Sequence, residues 1–198
     1  EIVHEVGEKQ SVCKVLDGYF ERLSDCPTWI KNVWLFDKKK SGLLPFDLHI
    51  HDLDTIVSLF GAPQSYSFTC SGNPGNTYKE HCRFIYRFAD HSVAAEAAWF
   101  NANFPFTARW RIYFERAVVV NDEKGLIAYP AQAEPIVFDT TEEEKIPTGI
   151  NLPPTGMFKA ELSHYLDCVR RGEPSTRVSK EQVLTVVGLL ERILESSD

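Results

Sequence analysis

Residues 47–54 hold two histidines and three aspartates, and the local backbone conformation decides what those side chains can do. On a strand, His49 and His51 would point to the same side, as neighbouring metal ligands do. On a helix, Asp47, His51 and Asp54 would share one face instead, because residues four and seven positions apart lie above one another. The choice between strand and helix is therefore a choice between two kinds of chemistry.

The spacing of the apolar residues favours the helix. They recur at intervals of four and three residues, at Phe46, Ile50, Leu53, Val57 and Phe60. This is the stripe of an amphipathic helix. Pro45 suits the first helical turn, Gly61 suits the position after the last one, and no strand-like alternation continues past Asp52. The sequence predicts a helix over residues 45–60.

Composition restricts the class of protein. The chain has 198 residues, 43% apolar residues, 12% aromatic residues and a net charge of −7. These values are typical of a globular protein of one large or two small domains, and we treat residues 1–198 as a single domain. The negative charge argues against nucleic acid or an anionic membrane as the main partner. No apolar stretch reaches the roughly 18 residues of a membrane span.

The cysteines indicate the redox environment. There are five, at Cys13, Cys26, Cys70, Cys82 and Cys168. Their odd number and the lack of C-x-x-C spacing favour reduced thiols over a disulfide framework or a zinc site. The pattern predicts a cytoplasmic protein.

The rest of the chain reads as a block of strands followed by two helices. Strands are predicted at 2–6, 12–23, 64–70, 81–88, 92–101, 109–114, 117–121, 125–129 and 135–138. One helix is predicted at about 156–171, and another begins at Ser179, which forms a capping box with Gln182. Strands joined by hairpins make a mostly antiparallel sheet. The predicted class is α+β, an open sheet with helices packed on one face.

Three segments of this chain resemble the C-terminal domain of the glucose–fructose oxidoreductase, inositol dehydrogenase and rhizopine-catabolism (Gfo/Idh/MocA) family. The first is the predicted helix, with the motif Asp47-x-x-x-His51-x-x-Asp54 and the ending Leu59-Phe60-Gly61-Ala62-Pro63. The second is the end of the preceding strand, Phe20-Glu21-Arg22-Leu23-Ser24. The third is the tail, Phe158-x-x-Glu161-Leu162-x-x-Tyr165-Leu166-Asp167-Cys168-Val169-Arg170-Arg171-Gly172-Glu173-Pro174. The resemblance covers nearly the whole chain.

The resemblance implies an NAD(P)-dependent oxidoreductase that acts on a sugar, a cyclitol or a related hydroxy compound. It implies that His51 is the acid–base group and Asp47 its partner. Imidazole titrates near neutral pH, and hydride transfer from an alcohol requires a proton to leave the hydroxyl. A carboxylate one turn away can orient the ring and favour its protonated form. Asp54 and Trp34 are the candidate substrate-binding residues, Trp34 by stacking on a sugar.

The chain departs from the family pattern at two places. The family carries a short glycine run before the aspartate, and here residues 41–46 hold a single glycine, Gly42. No G-x-G-x-x-G follows a strand and no Glu-Lys-Pro motif is present, so the N-terminal Rossmann domain is expected to be missing from the chain. We expect no cofactor in this chain, with NAD or NADP bound by the full-length protein, and no activity for the chain alone.

Two alternatives remain at this stage. The domain could be a non-catalytic dimerisation or scaffold module. The segment containing His49 and His51 also resembles the H-x-H signature of metal-dependent hydrolases. Independently of the chemistry, strands 81–88 and 109–114 carry large side chains on both faces, and one helix layer can cover only one of them. We therefore expect a two-fold homodimer formed through the open sheet face.

Overall fold

A computed structural model describes residues 14–28, 30, 34–140 and 156–196. The strand predicted at 2–6, Cys13 and Trp29 lie outside the described residues. The chain divides into two compact units, one made of Glu1–Phe138 with Glu181–Asp198 and the other of Asp139–Lys180.

The first unit is built on an open eight-stranded sheet. Its strands are β1 (Val15–Asp25), β2 (Ser65–Ser71), β3 (His81–Arg87), β4 (Ser92–Phe100), β5 (Thr107–Phe114), β6 (Ala117–Asp122), β7 (Gly125–Pro130) and β8 (Ile136–Phe138). They lie in the order β2-β3-β4-β1-β5-β6-β7-β8. Only the β1–β4 pair is parallel within this sheet; the neighbouring pairs are antiparallel. The α+β class and the mostly antiparallel sheet predicted from the sequence are confirmed.

The helices have the order expected from the sequence. The described elements are a 3-10 turn at Trp34–Phe36, α1 (Lys38–Ser41), α2 (Ile50–Phe60), α3 (Met157–Arg171) and α4 (Lys180–Glu195). The segment Pro45–His49, just before α2, is a π-helical turn. Within the described ranges, no helix is both long and apolar enough to cross a membrane.

The helix predicted at 45–60 is present, with a wider first turn. Pro45 occupies an N-terminal position of the π-helical turn, where its missing N–H needs no partner. Gly61 ends α2 at φ +78°, a conformation that favours glycine, and its backbone N–H donates to the Val57 carbonyl. The buried side of the segment is formed by Pro45, Leu48, His49, Asp52, Leu53, Ile56 and Val57.

One face of the sheet carries the main core. Phe20 of β1, Tyr86 of β3 and Trp99 of β4 are each at most 1% exposed on this face. Leu53 of α2 and Leu190 of α4 are fully buried against them in the same cluster. Burial of this apolar surface at about 25 cal/mol per Å² fixes α2 and α4 on that side of the sheet. The prediction of helices packed on one face is confirmed.

The opposite side of β3, β4, β1 and β5, here called the open sheet face, is formed by alternating residues of those strands. They are Arg83, Ile85, Arg87, Glu96, Tyr19, Glu21, Arg109, Arg111 and Tyr113. Glu96 accepts hydrogen bonds from the Tyr19 hydroxyl (2.7 Å) and from His81 Nε2 (2.7 Å). The Arg111 guanidinium lies 4.7 Å from the centre of the Tyr19 ring. This face therefore carries more charged side chains than we expected from the sequence, which placed large residues on both faces of the strands.

The prediction that all five thiols are reduced is wrong for one pair. Cys70 of β2 and Cys82 of β3 form a disulfide. The two residues are direct partners in the antiparallel register of the β2–β3 hairpin, which brings their Cα atoms within 4.1 Å. A sequence separation of 12 residues gives no spacing signal, because only the hairpin register creates the contact. Cys26 and Cys168 are free.

The second unit holds most of the tail on which the family resemblance rests. Helix α3 ends at Gly172, at φ +66°, whose backbone N–H donates to the Cys168 and Val169 carbonyls. The Ser175 hydroxyl and His164 Nε2 are 2.8 Å apart, which ties the segment after α3 to the helix. The predicted stop at Gly172 is confirmed.

Candidate active site

Asp47 and His51 lie one turn apart at the start of the site segment, as predicted. Asp47 is half-buried in the π-helical turn, and His51 is exposed in the first turn of α2. Single π-helical turns are uncommon and are often found at functional sites. The predicted arrangement, with His51 outside the apolar core, is present in the structure.

Asp47 is held by a residue that the sequence analysis did not identify. The indole Nε1 of Trp99 donates a hydrogen bond of 3.2 Å to Asp47 Oδ2. Burial raises the pKa of the Asp47 carboxyl, while the Trp99 hydrogen bond and the nearby His51 act in the opposite direction. The carboxylate therefore has one fixed oxygen and faces His51 electrostatically.

Trp99 is itself fixed by an aromatic cluster. Its ring meets the edge of Phe36 at 5.7 Å and of Tyr78 at 6.2 Å, and Phe36 stacks on Tyr78 at 4.7 Å. Such offset and edge contacts are favourable aromatic geometries. The predicted sugar-stacking residue Trp34 begins the same turn as Phe36 and is 47% exposed. The exposed indole of Trp34 thus lies two positions before Phe36, a residue of the cluster that holds Trp99.

His51 has a mixed electrostatic environment. Partial desolvation and the Arg22 charge lower its pKa, and the Asp47 and Asp54 carboxylates raise it. The expected effect of Asp47 on the imidazole is therefore present in direction, but desolvation and Arg22 outweigh it. The net result favours the neutral imidazole, the form that can accept a proton.

Asp54, predicted to bind substrate, makes a contact within the protein. Gln182 Nε2 of α4 donates a hydrogen bond of 2.9 Å to Asp54 Oδ1. This bond joins α2 to the start of α4 and leaves Asp54 half-buried on the same helix as His51. Asp54 Oδ1 thus has a structural partner, and the carboxylate still contributes to the electrostatics of His51.

His49 lies elsewhere, in the apolar core. It is fully buried, its ring stacks on Phe84 with centroids 3.7 Å apart, and its Nε2 lies 2.6 Å from the Tyr86 hydroxyl. The helical period turns His49 toward the sheet, away from the side that carries His51. Burial, aided by the Arg22 charge, lowers its pKa to about 3.

The positions of the two histidines argue against the metal-hydrolase alternative. His49 points into the core and His51 lies on the exposed side, so the two imidazoles do not form a neighbouring ligand pair. Among the described residues no group of three or more His, Cys, Asp or Glu side chains is placed to hold a metal ion. The helix, and not the strand, is the conformation of this segment.

An ion pair is formed by Asp52, the residue that follows His51. Arg22 of β1 donates from Nε (3.2 Å) and Nη2 (2.9 Å) to Asp52 Oδ1. The Asp52 side chain is only 4% exposed and that of Arg22 is 21% exposed. The pair joins β1 to α2, and no local sequence spacing signals it.

A cleft of about 190 Å³ adjoins the start of the site segment. Leu43 and Pro45, close before Asp47 in the chain, form part of its wall. The remaining lining residues are Lys38, Asn76, Thr77, Tyr78, Lys79, Cys82 and Leu194. The lining thus combines polar and apolar side chains, as small-molecule sites do.

The sequence and the fold both identify the family. A protein-family model for the GFO/IDH/MocA C-terminal domain matches residues 13–120, more than half of the chain. The chain belongs to this family. The resemblance derived from the Asp47–Asp54 motif is confirmed. No curated protein shows significant sequence similarity to the chain.

Several solved structures share the fold of this GFO/IDH/MocA domain. Levoglucosan dehydrogenase in complex with NADH and levoglucosan has a TM-score of 0.75 and 15% identity over 98% of this chain and 59% of that one. UDP-N-acetylglucosamine 3-dehydrogenase from Acidithiobacillus ferrooxidans has a TM-score of 0.73 and 14% identity, covering 98% and 57% of the two chains. Aldose-aldose oxidoreductase from Caulobacter crescentus, complexed with glycerol, has a TM-score of 0.73 and 14% identity over 98% of this chain and 56% of that one. The chain thus spans less than two thirds of each relative.

The burial of His49 predicts a pH dependence of stability. The pKa of His49 is about 3 in the folded protein and near 6.5 when the ring is exposed. The stability that comes from burying the neutral ring is therefore fully present above pH 6.5. It is lost as the pH falls from 6.5 toward 3, because the unfolded chain takes up the proton first, at up to about 1.4 kcal/mol per pH unit. Urea unfolding of His49→Gln between pH 7 and 4.5 should show a shallower pH dependence than the wild type. Equal slopes would contradict the burial of a neutral His49.

Proposed function

We propose that the chain is the substrate-binding and oligomerisation domain of an NAD(P)-dependent oxidoreductase acting on a sugar, a cyclitol or a related hydroxy compound. The observation that carries the proposal is the pair of Asp47 and His51, which lies one helical turn apart outside the core of a GFO/IDH/MocA C-terminal domain. In this proposal the nucleotide is bound by a Rossmann domain that is not among the described residues, and the chain alone is inactive.

His51 is the proposed acid–base group. Oxidation of an alcohol would break its carbinol C–H bond and its O–H bond, and a bound nicotinamide cofactor would supply the acceptor for the hydride. The proton of the hydroxyl then passes to an imidazole nitrogen of His51, and the same ring returns it during reduction of the carbonyl. The neutral ring favoured by desolvation and Arg22 is the state that accepts this proton.

Asp47 is the proposed partner of His51. Its carboxylate is fixed through Trp99, so it presents a steady negative charge to the imidazole. That charge stabilises the imidazolium formed when His51 takes up the proton. The role needs no direct hydrogen bond between the two side chains, since the Coulomb interaction acts over one helical turn in this partly desolvated site.

Trp34 and Asp54 are the proposed substrate-binding residues. The 47% exposed indole of Trp34 offers an apolar face of the kind that packs on the C–H side of a sugar ring. Asp54 Oδ1 is held by Gln182, and a carboxylate with one fixed oxygen can accept a further hydrogen bond from a hydroxyl. Levoglucosan and UDP-N-acetylglucosamine, after which two of the matched dehydrogenases are named, are the basis for choosing a polyhydroxy compound.

The cofactor is proposed from the relatives and from what this chain's residues can hold. Two of the matched structures contain NADH or NAD⁺. Within the described ranges, no glycine-rich turn connects a strand to a helix N-terminus, the usual seat of a dinucleotide pyrophosphate. The residues present thus fit the substrate side of a nicotinamide site, with His51 exposed and Asp47 half-buried beside it.

We also propose that the chain forms a homodimer. Dimer formation is equally expected under the alternative in which the domain is a non-catalytic dimerisation or scaffold module. Ile85 and Tyr113, on the outer strands β3 and β5 of the open sheet face, are 41% and 47% exposed. Tyr129 and Val137 extend this apolar surface along β7 and β8, at 44% and 68% exposure. Two copies related by a two-fold axis would cover these residues and could pair the arginines of one copy with carboxylates of the other.

Substitution of His51 tests the catalytic proposal. In the full-length protein, His51→Ala should reduce turnover by about 10²–10⁴-fold, the usual contribution of general acid–base catalysis. Ser58→Ala, an exposed position on the same helix, is the matched control and should retain wild-type turnover. Steady-state oxidation of a polyol panel with NAD⁺ and NADP⁺ gives the readout. Wild-type turnover in a folded His51→Ala protein would remove His51 from the chemistry.

Sedimentation velocity at micromolar concentration tests the dimer. The wild-type protein should sediment as a dimer, with twice the 22.5 kDa mass of one chain. Ile85→Glu should shift it to the monomer, because a charge within the contact would be desolvated without a partner. Leu184→Glu changes a more exposed apolar residue, on α4, and should leave the dimer intact. A monomeric wild type, or a dimeric Ile85→Glu, would refute association through the open sheet face.

A further inference from the structure

The cleft beside the site segment is bordered by a strained turn. Leu43 has φ +57°, and among the described residues it is the only non-glycine residue with a positive φ. This conformation is unfavourable for a residue with a side chain and persists only where the surrounding structure enforces it. Here the Ser41 hydroxyl enforces it, because it accepts the Leu43 N–H (2.9 Å) and donates to the Leu35 carbonyl (2.6 Å). The turn makes Leu43 part of the cleft wall.

The lining of this cleft carries two positive charges and no negative one. Lys38 and Lys79 are lining residues, and the other lining side chains are neutral. Lys38 is half-buried at the start of α1, and Lys79 is exposed in the connection between β2 and β3. In a chain with a net charge of −7 this is a local reversal of sign. A concave surface lined by one sign of charge concentrates ions of the opposite sign, here anions.

Three acidic residues are sequence neighbours of the lining residues and count against this charge. Asp37 pairs with Lys40 Nζ at 3.0 Å. The Glu80 carboxylate accepts hydrogen bonds from Asn76 Nδ2 (2.6 Å) and from a backbone N–H of the same loop (2.7 Å). Glu195 is exposed at the end of α4, where solvent and salt screen its charge. The lysines at positions 38–40 and 79 still outnumber these three carboxylates, so the cleft remains cationic.

Neutral hydrogen-bond donors complement the lysines. Burial, with the nearby Cys26 and Glu80, raises the pKa of Tyr78 to about 12, so its hydroxyl stays protonated at neutral pH. Asn76 and Thr77 line the same cleft. A hydroxyl and a primary amide can each donate to an oxyanion. The lining thus offers both charge and hydrogen bonds to an anionic group.

Contacts connect the cleft to the candidate active site. The Tyr78 ring packs on Trp99 at 6.2 Å, and Trp99 donates its hydrogen bond of 3.2 Å to Asp47. Pro45, in the cleft wall, precedes His51 by six residues of the same helical segment. This separation is on the order of 9 Å along the helix axis. A monosaccharide with an acidic group at one end can therefore reach from His51 to the cleft.

We propose that this cleft binds an anionic group of the substrate, a phosphate or a carboxylate, with Lys38 and Lys79 as its charge partners and Leu43 as its apolar wall. The substrate is then an acidic sugar or polyol. The assignment of the bound molecule as substrate rests on the proposed function of His51, whereas the preference of the cleft for an anion does not. A lysine ammonium is a compact charge with three donors, which suits the oxygens of either group.

The experiment is an NMR titration of the 198-residue chain at pH 7 and constant ionic strength, followed at the backbone amides of residues 76–79. Inorganic phosphate is the first probe and should cause saturable shifts. D-glucose 6-phosphate and D-gluconate then distinguish the two anionic groups, since the tighter binder identifies the group that the cleft takes. D-glucose, which has no charge, should bind more weakly than the tighter of these two.

Variants locate the site. Lys38→Gln and Lys79→Gln should each weaken phosphate binding by about tenfold, the usual effect of losing one charged hydrogen-bond partner. Lys38→Arg keeps the charge and should retain binding, which separates the loss of charge from a folding defect. Lys39→Gln removes a neighbouring exposed lysine that does not line the cleft, and it should bind phosphate like the wild type.

No saturable shift with any of the three anions, or an equal loss for Lys39→Gln and Lys38→Gln, would overturn the proposal. Binding of D-glucose as tight as that of both acidic sugars would also overturn it. The catalytic role of His51 is tested separately. If that role is wrong, His51→Ala will show normal turnover, and in either case His51→Ala should bind phosphate like the wild type, because His51 does not line the cleft.

Discussion

The site depends on the packing of the segment from Pro45 to Phe60 onto the sheet. Stacking of His49 on Phe84 and burial of Leu53 fix the rotation of this segment about its axis. Once that rotation is set, Asp47 and His51 can only lie on the outer side. The apolar packing thus decides which of the clustered polar side chains become core residues and which remain available for chemistry.

Polar contacts beneath the segment add positional specificity to that packing. The Arg22–Asp52 pair and the His49–Tyr86 hydrogen bond are both placed where purely apolar residues would also pack. A buried ion pair contributes little net stability compared with apolar residues of similar size, because desolvation offsets the attraction. Its effect here is to tie α2 to β1. Trp99 performs the corresponding task for Asp47 from β4.

Local sequence patterns predicted the elements well and the site only in part. The three-four spacing of apolar residues identified the helix, and Gly61 and Gly172 marked helix ends correctly, because these signals act within a few residues. Trp99 and Asp47 are 52 positions apart, and Arg22 and Asp52 are 30 apart. Such contacts depend on the strand order, which places β1 beside β4, and no spacing rule encodes them. The Cys70–Cys82 disulfide was missed for the same reason.

The most direct test of the account is a crystal structure of the full-length protein with NAD(H) and a bound polyol. The account predicts that the hydroxyl on the hydride-donating carbon lies about 2.6–3.2 Å from an imidazole nitrogen of His51, the distance required of an acid–base group. It also predicts that the Trp99–Asp47 hydrogen bond is retained. A polyol whose reacting hydroxyl is bound by other groups, with His51 turned to solvent, would contradict the central claim.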